Sequence, residues 1–163
     1  WGVSALGREV LETFAPDAAR AVLDYVEKNC QVRIPLDGKG WAEGVDFINH
    51  PFAAALGRKP LISPEWTFQL ANAWQRLGDD YLVRGEKEAA RAFAEKRRYL
   101  LRQMEKLAVP VGNTLGFPYA TLPDALLGHE NRTPAAGNLS TVGVAYGLLA
   151  LRGFDPLGDF SSP

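Results

Sequence analysis

Cysteine is nearly absent: Cys30 is the single one in 163 residues, so no internal disulfide framework can hold the chain. It falls at the end of an expected helix, where a buried structural thiol is the default reading. Basic excess is missing too. Eighteen Lys and Arg face nineteen Asp and Glu, for a net charge of −1. That balance argues against nucleic acid as a partner, and no polybasic run argues for an anionic membrane surface. No apolar run approaches the roughly 20 residues of a membrane-spanning helix. The two histidines, His50 and His129, lie far apart without paired-ligand spacing, so neither a metal nor a cofactor is expected. A glycine-rich phosphate loop, a nucleophile elbow and a dinucleotide fingerprint are all lacking. The first residue is Trp1 rather than Met, and no signal peptide is visible. The expectation is therefore a removed leader or a piece of a longer polypeptide, with an extracytoplasmic setting favoured.

What is present suits one globular domain over residues 1–163. Hydrophobic residues make up 47% of the chain, enough for a sizeable core. Four Trp, eight Phe and five Tyr supply large core side chains or aromatic groove walls.

The organising stretch opens at Ser63-Pro64-Glu65-Trp66. Ser63 is a good N-cap, Pro64 suits the first helical position, and Glu65 places negative charge in the first turn. Trp66, Leu70, Trp74, Leu77 and Tyr81 recur at helical spacing as an apolar stripe. Glu65, Gln69, Asn72 and Arg76 form a polar stripe beside it, of a kind that lines a groove.

Around this helix the chain reads mainly α. Residues 5–14 and 17–29 form a helix pair, with Leu6, Val10 and Phe14 on one buried face and Ala18, Ala21, Val22, Tyr25 and Val26 on the other. Residues 31–47 alternate and carry the turn Asp37-Gly38-Lys39-Gly40, giving a small β-hairpin inserted between helices. A short helical piece is expected at 52–56. Residues 86–108 form the longest helix, with a charged outer face. Residues 109–137 are rich in Pro and Gly but hold Phe117, Tyr119, Leu122, Leu126 and Leu127, so they read as one long ordered loop. A last helix spans 139–152, ended by Gly153. Gly143 and Gly147, four apart in it, predict close packing against a neighbour. Residues 155–163 read as an extended surface strand.

Two groups of residues could carry chemistry. The first is Glu43, Asp46, His50 and Glu65: two carboxylates about 5–9 Å apart in an aromatic-walled cleft are what glycoside hydrolysis requires. Here Glu65 and Asp46 are the acid/base candidates. The competing reading makes Glu65 a helix-end charge and Asp46 a turn cap. The second is the long loop, where Tyr119, Asp124, His129, Glu130 and Arg132 could converge on a polar ligand. Hydroxyl-rich ligands need directional partners and flat apolar faces, which Tyr, His, Arg and Trp supply together. Trp41 and Trp66 are the stacking candidates. The competing reading has His129 and Arg132 tying the loop to backbone carbonyls.

Ser63-Pro64-Glu65-Trp66-Thr67, the following amphipathic helix pair, Gly116-Phe117-Pro118-Tyr119-Ala120-Thr121, Gly128-His129 and Arg132-Thr133-Pro134 carry a likeness. Over about residues 41–156 the chain resembles the C-terminal part of bacterial (α/α)-toroid proteins related to glycoside hydrolases. The resemblance implies antiparallel helix pairs forming part of an (α/α) toroid, with loops at one end of a funnel directed at carbohydrate. It implies a glycoside hydrolase, a lyase relative or a binding-only descendant, with Glu65, Asp46 and Asp124 the carboxylates available. A complete ring of about twelve helices needs roughly 300 residues or more. The chain would then be an arc, completed by the remainder of its polypeptide, another copy or a partner chain. The alternative is a non-catalytic helical interaction module or a self-assembling extracellular subunit. Leu77-Gly78, Tyr81, Gly85 and Ala89 also resemble a tetratricopeptide unit, though one such pair cannot stand alone.

Overall fold

The computed structural model describes residues 2–38 and 40–157. The extended strand expected at 155–163 falls largely on residues 158–163, outside the described residues. In chain order the elements are α1 (Gly2–Glu12), α2 (Ala18–Cys30), β1 (Gln31–Leu36), β2 (Gly40–Val45), α3 (His50–Ala55), α4 (Pro64–Val83), α5 (Lys87–Glu105), β3 (Val109–Val111), β4 (Thr114–Gly116), β5 (Leu126–Gly128), β6 (Asn131–Arg132) and α6 (Thr141–Arg152). About half of the described residues are helical. The strands form three separate antiparallel pairs: β1–β2, β3–β4 and β5–β6. The architecture is thus mixed α/β, with helix packing dominant, rather than clearly toroidal.

Helix α4 is the hub. Ser63 caps it, its side chain accepting from the Trp66 amide at 3.4 Å, and Pro64 occupies the first turn. Leu70, Trp74, Leu77 and Tyr81 of the apolar stripe are buried, while Trp66 at the helix start keeps 41% of its surface exposed. Phe68, Ala71 and Ala73 are buried as well, so α4 is covered on more than one side. It packs against α1, α2, α5, α6 and the β1–β2 hairpin. Helix α5 lies beside it through Ala90, Phe93, Leu100 and Met104. Its opposite face carries solvent-exposed pairs such as Arg91–Glu95 at 2.9 Å.

The hairpin pairs Gln31 with Val45 through Leu36 with Gly40, as the alternation predicts. Gly44 on β2 is where the hairpin meets the helices. A Cβ there would lie 2.5 Å from Ile62 Cγ2 and 2.7 Å from Thr67 Oγ1, so only glycine allows this approach.

The long segment after α5 is not one irregular loop: it holds β3–β4 and β5–β6. Strands of two or three residues are too short to leave a periodic pattern in sequence. Several bonds latch this segment to the core. The Thr121 amide donates to the Ile62 carbonyl at 3.0 Å, and the Ile62 amide donates to Thr121 Oγ1 at 2.8 Å. Thr133 is buried and bonds both the Leu122 carbonyl and the Ala125 amide. These bonds seat the loop over the start of α4.

Two expectations about helix faces are corrected. Leu6, Val10 and Phe14 of the first helix, and Val22 and Tyr25 of the second, are exposed; Val3, Ala19 and Leu23 are the buried apolar residues, with Ser4, Gly7 and Arg8 buried beside them. An apolar stripe states that a face exists, but the rotation of the α1–α2 pair is set by which side chains fit against α4, and small Ala19 wins. Gly7, with φ of +71°, also breaks α1 midway and changes its phase. In α6, Gly143 and Gly147 do face α4 and its surroundings: a Cβ at Gly147 would meet Phe68 at 3.0 Å and Phe117 at 3.4 Å. The other side of α6 is bare, with Val142, Leu148 and Leu151 exposed.

Candidate functional site

Asp46 and Glu65, the two acid/base candidates, sit in different surroundings. Asp46 follows β2 and is 2% exposed. Arg58 holds it with both guanidinium ends, Nη1 donating to Oδ2 at 2.8 Å and Nη2 to Oδ1. The amides of Leu61 and Ile48 also donate to it, at 3.1 and 3.3 Å. With its lone pairs so engaged, this carboxylate serves as a buried anchor of the 46–61 segment. It is not placed as a general acid or base. The Arg58 partner, 12 residues away, gave no signal in sequence.

Glu65 is half-buried in the first turn of α4. The Gln69 side-chain amide donates to it at 3.2 Å. Burial pushes its carboxyl above the ordinary value of 4.5, and the Gln69 bond opposes this in part. Two tyrosines lie within reach of its charge. The Tyr119 and Tyr146 phenols are each raised, first by burial and then by the Glu65 carboxylate.

Tyr119 comes from the long loop and Tyr146 from α6, so three separate segments converge beside Glu65. Phe47, just past β2, joins them. Its ring stacks on Tyr119 with centroids 5.5 Å apart and meets Trp66 edge-on at 5.6 Å. Trp66 and Phe47 also line a cavity of about 140 Å³ between α2, α4 and the end of β2, with Cys30 and Gln69 in its wall. The Cys30 thiol is raised by burial and by the charge of Asp46, which makes it a poor nucleophile.

The remaining sequence candidates lie elsewhere. Trp41 is near the hairpin turn, 49% exposed, with the Arg33 guanidinium over its ring at 5.1 Å. Phe47, six residues further along the chain and past the opposite end of β2, is the ring that meets Trp66. Glu43 pairs with Arg33 at 3.5 Å, and His50 Nε2 bonds the Gln31 carbonyl at 2.9 Å. His129 and Glu130 form the tip between β5 and β6, both with positive φ and both exposed. Arg132 Nη1 donates to the Asp124 carbonyl at 2.7 Å, tying the loop to itself. Neither His129 nor Arg132 lines the cavity at Trp66. Of the seven sequence-level site residues, Glu65, Trp66 and Tyr119 gather around Phe47, and Asp46, held by Arg58, lines the cavity with Trp66; Trp41, His129 and Arg132 lie away from both.

Sequence reasoning missed Phe47 and Tyr146. Tyr146 did leave a trace: it stands three residues after Gly143, on the side of α6 that the glycines mark as close-packed. Among the described residues no group of three His, Cys, Asp or Glu side chains could hold a metal ion. No helix among them is long and apolar enough to cross a membrane. Compared with family models, curated proteins and solved structures, the chain matches none of them.

Proposed function

We propose that this chain is a carbohydrate-binding arc of an (α/α)-toroid-like protein, a binding-only relative of glycoside hydrolases. Its sugar site is the cluster of Glu65, Trp66, Tyr119, Phe47 and Tyr146. The observation that carries the reading is a half-buried carboxyl bonded to an amide, with two phenols within reach of its charge and a partly exposed indole next to it in the chain. Sugar hydroxyls are served by such acceptors and donors, and the flat face of Trp66 suits a pyranose ring. Binding is favoured over hydrolysis because the second carboxylate that acid/base chemistry needs is absorbed by Arg58. The arc is completed by further helices of the same polypeptide, another copy or a partner chain.

Affinity electrophoresis and calorimetry against a panel of soluble neutral polysaccharides test this. The expected result is retardation by at least one polymer, weakened about tenfold or more in Glu65→Gln and Trp66→Ala. Hydrolysis should be undetectable. Binding by none of the panel contradicts the reading, and release of reducing ends lost in Glu65→Gln would restore the hydrolase.

A second reading, an assembly module, is favoured by one observation: the bare apolar side of α6. Helices that are apolar all round are normally covered.

A further inference from the structure

Independently of the sugar site, the groove between α4 and α5 has the chemistry of an anion receptor. It encloses about 360 Å³. Trp74 and Arg97 line it, and Lys87, Arg91 and Arg98 stand around it, against the single acid Asp79. Two donors in this set lack acceptors. The Trp74 side chain is 2% exposed, and its indole N–H has no partner. The Arg97 Nε–H is buried and likewise unpartnered, although its Nη2 is held by the Ala150 carbonyl at the end of α6. A buried donor left without an acceptor costs about 1–3 kcal/mol, so such groups mark where an acceptor belongs.

The acids nearby are already engaged. Asp79 accepts from Gln75 at 3.3 Å, and Glu95 accepts from Arg91 at 2.9 Å. Burial disfavours the charged form of Arg97, the Asp79 carboxylate opposes this in part, and the neighbouring Arg98 charge adds to it. An incoming anion would offset both the burial and the Arg98 charge. The bond from Arg97 to α6 fixes the guanidinium in place, so little side-chain entropy is lost when a ligand meets it.

We propose that this groove binds a tetrahedral oxyanion, a phosphoryl or sulfate group, with the Trp74 indole and the Arg97 Nε as floor donors and Arg98 and Lys87 as outer cations. With Arg91 already paired to Glu95, a dianion answers Lys87, Arg97 and Arg98 better than a single carboxylate does, and its diverging oxygens can meet donors on both helices.

Titrations with inorganic phosphate, inorganic sulfate and acetate test this, run against chloride at matched ionic strength. The full chain is followed by calorimetry and by the indole N–H resonance of Trp74, assigned with Trp74→Phe. Phosphate and sulfate are expected to saturate, to move the Trp74 resonance and to leave the other indoles in place; acetate should bind several-fold more weakly. Arg98→Gln, at an exposed position that leaves the core intact, should weaken both oxyanions about three- to tenfold. Response to phosphate alone would assign the groove to phosphoryl groups, and to sulfate alone, to sulfated ones. An immobile Trp74 resonance, an equal response to chloride, or unchanged affinity in both Arg98→Gln and Trp74→Phe overturns the proposal.

Discussion

The carboxylate of Asp46 accepts from Arg58 and from the Leu61 and Ile48 amides, whereas that of Glu65 accepts from the Gln69 amide and is raised by burial. Removing either partner of the first pair strands a buried charge. Arg58→Ala should therefore destabilise the fold by about 3–5 kcal/mol, read from urea denaturation midpoints, while Arg33→Ala, at the exposed arginine of the Glu43 pair, should cost less than about 1 kcal/mol. Glu65 behaves in the opposite sense. Its folded carboxyl holds a proton to higher pH than the unfolded chain does. Over the window from 4.5 up to the raised folded value the native state binds more protons, so this group's contribution to stability falls as pH rises. Glu65→Gln should then be as stable as the parent or more so at pH 7, with the difference vanishing below pH 4.5, while the proposed sugar binding weakens. A melting series across pH checks this; a Glu65→Gln variant that melts lower at neutral pH would mean the carboxylate holds the fold together.

At the scale of elements, the start of α4 was legible because Ser63, Pro64 and Glu65 each act locally on the helix end, without help from tertiary contacts. The hairpin was legible for the same reason, through its turn residues and alternation. The buried faces of α1 and α2 were not, since the phase of a helix against its neighbours depends on packing partners distant in sequence. The candidate site divides along the same line. Glu65, Trp66 and Tyr119 lie beside strong local motifs, whereas the Asp46–Arg58 pair and the approach of Tyr146 are products of the fold. Gly147 puts the packing argument to a direct test. Alanine there gains about 1 kcal/mol of helix propensity. It also drives a methyl against Phe68 at 3.0 Å and Phe117 at 3.4 Å, and overpacking of a close contact costs about 1–3 kcal/mol. Gly147→Ala should be net destabilising by chemical denaturation, whereas Gly85→Asn, at an open left-handed position, should be nearly neutral.

At the scale of the whole molecule, apolar surface is left at several places, among them Leu6, Val10, Phe14, Val22 and Tyr25 on α1, α2 and the turn between them, and Val142, Leu148 and Leu151 on α6. Soluble chains seldom leave such faces bare, and a toroid-like arc would cover them with neighbouring helices. The chain is therefore expected to self-associate. Sedimentation velocity should show mass rising with concentration, and Leu148→Glu with Leu151→Glu should return it to monomer without altering sugar binding. The proposed sugar site lies at the start of α4, where loop, hairpin end and α6 converge. Its most direct test is a two-dimensional spectrum of the four tryptophan indoles during titration with an oligosaccharide of the retarding polymer. The account requires the Trp66 resonance to move and saturate while that of Trp41 stays fixed. A moving Trp41 with a still Trp66, or no indole response at saturating sugar, would contradict it.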